Sequence, residues 1–139
     1  MEGWDPENQS RPHTLYLAEG GSLTTAPSDI SEAYSFYTSD PNDPVPYYPD
    51  MPWPRRKEYM TVGQEFLDGR HDVLTFLSPR LENDMAVIGP IDVTLHAAIS
   101  TTDADFVVKI IDVGPDGEYE MMVRGDIMRG RYRNGFSSP

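Results

Sequence analysis

Apolar residues recur at every second position along much of this chain, and this period constrains the fold more than any other feature. In the segment 91–99 the odd-numbered positions are all apolar, and most of the even-numbered positions are polar. Successive side chains of a β-strand point to opposite faces, so this alternation predicts a half-buried strand. No ten-residue window shows a clear helical stripe, and 28–37 offers at most one turn. The sequence therefore predicts a fold of strands and turns.

A second segment, DFVVKIIDV at 105–113, is apolar on both phases except at Lys109, which predicts a central strand covered on both faces. Pro-Asp-Gly at 115–117 supplies a turn, and EYEMMVRGD at 118–126 returns with its apolar residues in phase, which indicates a β-hairpin. Shorter strands are predicted within 14–23, 34–40 and 72–78. Several short strands separated by turn signals are typical of an antiparallel β-sandwich.

Composition excludes several classes of function. The 139 residues suffice for one domain, and the formal net charge is −12. Such an acidic chain is repelled by phosphate backbones and anionic lipids, so we expect neither a nucleic-acid nor a membrane partner. No apolar run approaches the roughly 20 residues of a membrane helix. The absence of cysteine removes disulfides and thiolate chemistry and leaves the cellular compartment unknown.

The residues that could carry catalysis do not assemble into a recognisable motif. Ser22, in EGGSLTT, lacks the glycine two residues later that a nucleophile elbow requires, so a β-turn is favoured. His71 and Asp72 are adjacent, and neighbours on an extended chain point to opposite faces. His96 lies on the polar phase of its predicted strand. We therefore predict no catalytic residue and no cofactor in this chain.

Charged residues gather around the predicted hairpin. Its carboxylates are Asp103, Asp105, Asp112, Asp116 and Glu118. They lack the spacing of an EF-hand, and aspartates beside strands commonly form side-chain-to-backbone turns, so turns are favoured over a calcium site. Arg129, Arg131 and Arg133 alternate onto one face. Pairing with carboxylates or with a partner surface is expected, and anion binding stays open as an alternative.

The segment 38–63 is rich in proline, with six prolines between residues 39 and 56. Proline fixes φ and removes a donor, so this segment can be neither a helix nor a central strand. It could be an ordered loop or a polyproline ligand for an SH3-type groove. Arg55 and Arg56 do not stand in the register that such grooves prefer.

Three stretches, RHDVLTFLSPRL, DADFVVKIIDVGPDG and MRGRYR, carry a family resemblance. From about Thr14 to Arg133 the chain resembles the C-terminal non-catalytic domain of the X-Pro dipeptidyl-peptidase and cocaine esterase hydrolases. It is most similar to those of α-amino acid ester hydrolases and glutaryl acylase-like enzymes. The resemblance implies a jelly-roll, galactose-binding-like sandwich beside an α/β-hydrolase domain that holds the Ser-His-Asp triad. It also implies turn duties for the aspartates between Thr102 and Gly117.

The resemblance further implies that the proline-rich segment 38–63 is an interdomain-contact loop, with the catalytic α/β-hydrolase domain as partner. The residues expected at that contact are Tyr47, Tyr48, Trp53, Arg55, Arg129 and Arg131. Because the jelly roll of the family continues past RGRYR, we expect 1–139 to be a single, partial domain with an open sheet edge able to self-associate. The alternative is a free-standing β-sandwich module that binds carbohydrate or peptide through a coplanar aromatic platform.

Overall fold

The computed structural model describes residues 10–30, 32–50, 57–117 and 120–137. Trp53, Arg55 and Glu118, which the sequence analysis singled out, lie outside these ranges. The chain divides into two compact units. The first comprises the described residues of Met1–Ser39 and His71–Thr94, and the second those of Asp40–Arg70 and Leu95–Pro139. Each unit contains a two-stranded antiparallel sheet.

The sheet of the first unit is a tight hairpin of β1 (Tyr16–Ala18) and β2 (Ser22–Thr24), joined by the 3-10 turn η1 (Glu19–Gly21). The turn needs glycine because residues 20 and 21 have φ of 68° and 71°, a left-handed conformation that other residues rarely adopt. A bridge from Ser22 to Leu77 adds one parallel contact. The strand predicted within 14–23 is thus confirmed as a hairpin, whereas 72–78 contributes this bridge and no strand.

The sheet of the second unit is the predicted long hairpin. Its strands are β3 (Asp105–Val113) and β4 (Glu120–Arg129). The connecting turn is closed by a 2.9 Å bond from the Gly117 amide to the Gly114 carbonyl, and Gly117 has φ of 72°. A bulge lies beside Ile110, because the next pair in register skips Val123. The bulge shifts the side chains of one strand relative to the other without ending the ladder.

The remaining elements of the second unit are short 3-10 turns. They are η2 (Lys57–Met60), η3 (Glu65–Leu67) and η4 (Gly130–Tyr132). Within the described ranges, no helix has the length and apolar character needed to cross a membrane. The prediction of an all-β, antiparallel chain is confirmed for these residues.

Two further strand predictions are wrong. Residues 91–99 and 34–40 form no ladder, although both have strand-like sequences. A strand is stabilised by a neighbouring strand, and no described residues pair with 91–99, where Val93 remains 51% exposed. The prediction that β3 is covered on both faces is also wrong, because Val107 is 60% exposed. The alternation predicts which side chains share one face of a strand, but it does not predict which element packs against that face.

The apolar core of the described residues centres on one methionine of β4. Met122 is 5% exposed, whereas its neighbour Met121 is 40% exposed. The two methionines point to opposite faces of the hairpin. In the ladder, Met122 pairs with Ile111 and Met121 pairs with Asp112. They form a natural matched pair for measuring the value of burial.

We predict that Met122→Ala lowers the free energy of unfolding by about 2–3 kcal/mol, because it removes buried methylene groups and leaves a cavity. The control, Met121→Ala, should cost less than about 0.5–1 kcal/mol, as is usual for a surface substitution. Denaturation by urea at neutral pH measures both. Equal losses in the two variants would contradict the placement of the core.

Candidate interdomain contact surface

The C-terminal end of the proline-rich loop, at Gly63, and the residues that follow it, Gln64–Phe66, are attached to the long hairpin. The Gln64 amide donates to the Glu120 carbonyl at 3.0 Å, and Gly63 forms a bridge with Met121. In return, the Glu120 amide donates to Glu65 Oε1 at 3.0 Å. The loop therefore occupies part of the outer edge of β4 and satisfies backbone groups that an edge strand would leave unpaired.

The side chain of Gln64 holds this attachment from the inside. Gln64 is 1% exposed, its Nε2 donates to the Val62 carbonyl at 2.7 Å, and its Oε1 accepts a 2.7 Å bond from Lys109 Nζ. The ammonium group also lies 5.6 Å from the centre of the Phe66 ring. Burial lowers the pKa of Lys109, because desolvation disfavours its charged form.

The same loop is closed near its base. Arg70 donates from Nη2 to the Asp43 carbonyl at 2.9 Å and lies 3.4 Å from its carboxylate. In the same loop, the Tyr47 ring packs edge-on against the Tyr59 ring and beside the Tyr48 ring. The ring centres of both pairs are 6.3 Å apart. Tyr47 and Tyr48 are half-buried. The rings of Tyr47, Tyr48 and Tyr59 are therefore held in place by contacts with one another.

The open end of the hairpin carries two ion pairs side by side. Arg129 grips Asp105 with two hydrogen bonds of 2.7 and 3.0 Å, and Arg131 pairs with Asp103 through both its side chain and its amide. A 2.8 Å bond from the Gly130 amide to the Ala104 carbonyl continues the ladder and aligns the second pair. These residues line an open recess of about 160 Å³.

These pairs shift the pKa values of Asp103, Asp105 and Arg129. The hydrogen bond from Arg129 is the main reason that the pKa of Asp105 lies below its ordinary value. Burial acts to raise the pKa of Asp103, but the bonds and charge of Arg131 and the Ala104 amide outweigh it and lower the pKa. The pKa of Arg129 is raised by Asp105. Both arginines are thus neutralised by carboxylates within the chain, as the sequence analysis expected.

The other candidate residues have structural surroundings. Ser22 Oγ donates to the Glu19 carbonyl at 2.8 Å within its turn. His71 is exposed and the adjacent Asp72 is buried, which fits side chains on opposite sides of an extended chain. His96 is exposed. Among the residues that the structure describes, no three histidines, cysteines or carboxylates are grouped so as to hold a metal ion.

Comparison with known proteins gives a consistent relationship. The family model for the X-Pro dipeptidyl-peptidase C-terminal non-catalytic domain matches residues 2–139 of the sequence. The chain belongs to this family. It is 32% identical over 120 residues to the cocaine esterase of Rhodococcus sp. (strain MB1 Bresler), covering 86% of this chain and 21% of that protein.

A solved structure supports the same relationship. An α-amino acid ester hydrolase superposes with a TM-score of 0.73 at 34% identity, over 90% of this chain and 22% of that enzyme. This chain therefore shares the fold of the corresponding part of that enzyme, and the predicted all-β class is confirmed. The chain spans about a fifth of the length of the relatives that it matches.

Of the residues expected at an interdomain contact, the structure orders Tyr47 and Tyr48 in the loop and Arg129 and Arg131 at the hairpin end. Sequence reasoning missed the buried Gln64 altogether. One signal pointed towards it, because Lys109 interrupts an otherwise apolar strand. A charged residue in such a strand must find a polar partner when the strand is buried.

We predict that acid weakens the fold partly through Asp103 and Asp105. Because their folded pKa values are lowered, their contribution to stability is present above about pH 4, the ordinary aspartate value, and is lost as the pH falls through the folded values. Asp105→Asn should therefore flatten the acid limb of the stability curve, measured by urea denaturation between pH 5 and 2. Asp84→Asn, at an exposed site in the other unit, is the control. An unchanged limb in Asp105→Asn would refute the assignment.

Proposed function

We propose that this chain is the accessory domain of a serine hydrolase, that it docks against the catalytic α/β-hydrolase domain, and that it supports the active site and the oligomer of the whole enzyme. The observation that carries the proposal is the exposed apolar surface of the hairpin. Val107 and Ile127 face each other across the ladder, and each is 60% exposed. Met128, on the other face, is 58% exposed.

Such exposure on both faces favours a partner. An isolated two-stranded hairpin is marginally stable in water, and sheets gain stability when further strands or other elements cover an apolar face. Exposed apolar side chains that cluster commonly mark interaction sites. Each Ile or Val that becomes fully buried contributes roughly 1.5–3 kcal/mol, so a few of them suffice for a specific contact. Family membership supports a hydrolase domain as that partner.

The contact surface that we propose combines this hairpin with the proline-rich loop. Tyr47 and Tyr48 are already held by ring contacts, so little conformational entropy is lost when they bind. Trp53 and Arg55, between them and η2 in sequence, belong to the same proposed surface. Arg129 and Arg131 extend it at the hairpin end, where their paired charges lower the cost of desolvation.

The alternative function, a free-standing module that binds carbohydrate or peptide, is less well supported. Flat sugar rings stack on coplanar aromatic platforms. The ring contacts of the described residues are tilted instead, by 49° and 70° in the loop and by 43° and 44° at the Tyr34–Phe36 and Tyr132–Phe136 pairs. Tilted rings suit packing within a protein interface. The geometry thus favours docking over sugar binding.

We predict that this chain, produced without a catalytic domain, does not hydrolyse amino-acid esters, β-lactams or X-Pro amides. No serine of the sequence stands in the G-x-S-x-G pattern of a nucleophile elbow. A chromogenic ester assay of wild type and Ser22→Ala tests this expectation. Turnover that co-purifies with the wild-type chain and disappears in Ser22→Ala would contradict it.

Docking should depend on the exposed apolar pair. We predict that Ile127→Asp weakens binding to a separately produced catalytic domain of the same hydrolase by at least about tenfold, which corresponds to 1.4 kcal/mol. Titration calorimetry measures the affinity, and Tyr34→Ala, which removes an 84% exposed aromatic ring in the other unit, is the control. Without the partner, the wild-type chain should self-associate in sedimentation experiments, and Ile127→Asp should reduce this association. Equal affinities for wild type and Ile127→Asp would overturn the proposed surface.

A further inference from the structure

Beyond β4 and η4, the chain closes a tight turn over residues 132–135. The Gly135 amide donates to the Tyr132 carbonyl at 2.8 Å, and Gly135 has φ of 103°, a conformation that glycine adopts readily. The rings of Tyr132 and Phe136 pack against each other, with their centres 5.0 Å apart and their planes tilted by 44°. Asn134 occupies a central position of the turn, and both Asn134 and Gly135 are exposed. A hydrogen bond and a ring contact therefore hold this turn closed.

The Asn134–Gly135 pair is chemically labile. Among the four asparagines of the sequence, Asn134 is the one that precedes a glycine. The backbone nitrogen that follows an asparagine can attack the side-chain amide carbon, and glycine favours this attack because it has no Cβ to crowd the forming ring. The Gly135 nitrogen forms a bond to Asn134 Cγ, the bond from Cγ to Nδ2 breaks, and the Gly135 amide proton leaves with Nδ2 as ammonia. Water then opens the resulting succinimide ring and gives aspartate or isoaspartate.

The closed turn engages the nitrogen that would attack. Ring closure removes the proton of the Gly135 amide, but in the turn this N–H donates to the Tyr132 carbonyl. The hydrogen bond must therefore break before the nitrogen attacks. The contact between Tyr132 and Phe136 opposes that opening, because the two rings must separate when the ends of the turn move apart. The reaction thus proceeds from an open state of the turn, which is populated for a fraction of the time.

We propose that Asn134 is a site of spontaneous deamidation and that the ring contact between Tyr132 and Phe136 controls its rate by keeping the turn closed. The product carries a new carboxylate beside Arg133 in sequence. Isoaspartate also adds a methylene group to the backbone, so the turn cannot close again with the same geometry. The modification therefore accumulates with the age of the molecule. It depends on this turn alone and not on the docking proposed above.

Mass spectrometry of fragments after incubation at neutral pH measures the reaction. Aspartate and isoaspartate differ from asparagine in mass and from each other in chromatographic retention, and cleavage at Met128 by cyanogen bromide releases the fragment that contains Asn134. The wild-type chain should convert slowly at Asn134, and faster at alkaline pH, where the amide proton is removed more readily. Asn42 and Asn83, both exposed and each followed by aspartate, are internal references and should remain unconverted over the same period.

The variant Phe136→Ala should speed the conversion by about twofold to tenfold, because an aromatic contact no longer opposes opening of the turn. The matched control, Phe136→Tyr, keeps a ring and should convert at the wild-type rate. Phe136 is 84% exposed, so neither substitution disturbs the buried core. In urea, where the turn is open in every variant, wild type and Phe136→Ala should convert equally.

Two parts of the proposal can fail separately. Equal rates of wild type and Phe136→Ala in buffer would overturn control by the ring contact, as would a difference in urea as large as that in buffer. Failure of Asn134 to convert even in urea would overturn the site itself.

Discussion

The buried amide of Gln64 is the interaction on which the second unit depends. A loop rich in proline cannot form a regular ladder, yet its backbone groups near the hairpin must still be satisfied. Gln64 meets this need with its backbone and with both ends of its side chain, which bind Glu120, Val62 and Lys109. An apolar residue at this position would leave the half-buried ammonium of Lys109 without its acceptor, which is costly inside a protein. One uncharged side chain therefore joins residues 62–64 to the hairpin and accommodates a lysine within an apolar strand.

Several apolar side chains of the hairpin to which the loop is attached remain exposed. Among the described apolar residues of the second unit, Met122 is buried, while Val107 and Ile127 stay mostly exposed. Sheets of two strands are marginal until something covers a face. The loop covers one end of the hairpin, near the turn, and the open end keeps its apolar pair. Covered residues at the turn end and exposed apolar residues at the open end suit a domain from a family of larger hydrolases.

Sequence predicted the structure well where the determinants are local. The hairpin of β3 and β4 follows from alternation on both sides of Pro-Asp-Gly, and the small hairpin follows from Gly20 and Gly21 in a turn that demands positive φ. It failed at 91–99, because strand formation there depends on a partner that alternation does not specify. It also failed to find the contact between Gln64 and Lys109, which joins residues 45 positions apart. The anomalous lysine was visible in the sequence, but its partner was not.

The distribution of charge gives the two ends of the hairpin different physical characters. At the open end, Asp103 and Asp105 are matched by Arg131 and Arg129, so the surface beside the exposed apolar pair carries little net charge. At the turn end, the Glu65 carboxylate accepts a hydrogen bond from the Glu120 amide, and Asp68 and Glu120 carry two further negative charges nearby. In a chain of net charge −12, a locally neutral, apolar surface is the part that another protein can approach with the least electrostatic cost. At the turn end, the Glu65 carboxylate instead supports the bonds that join Gly63 and Gln64 to β4.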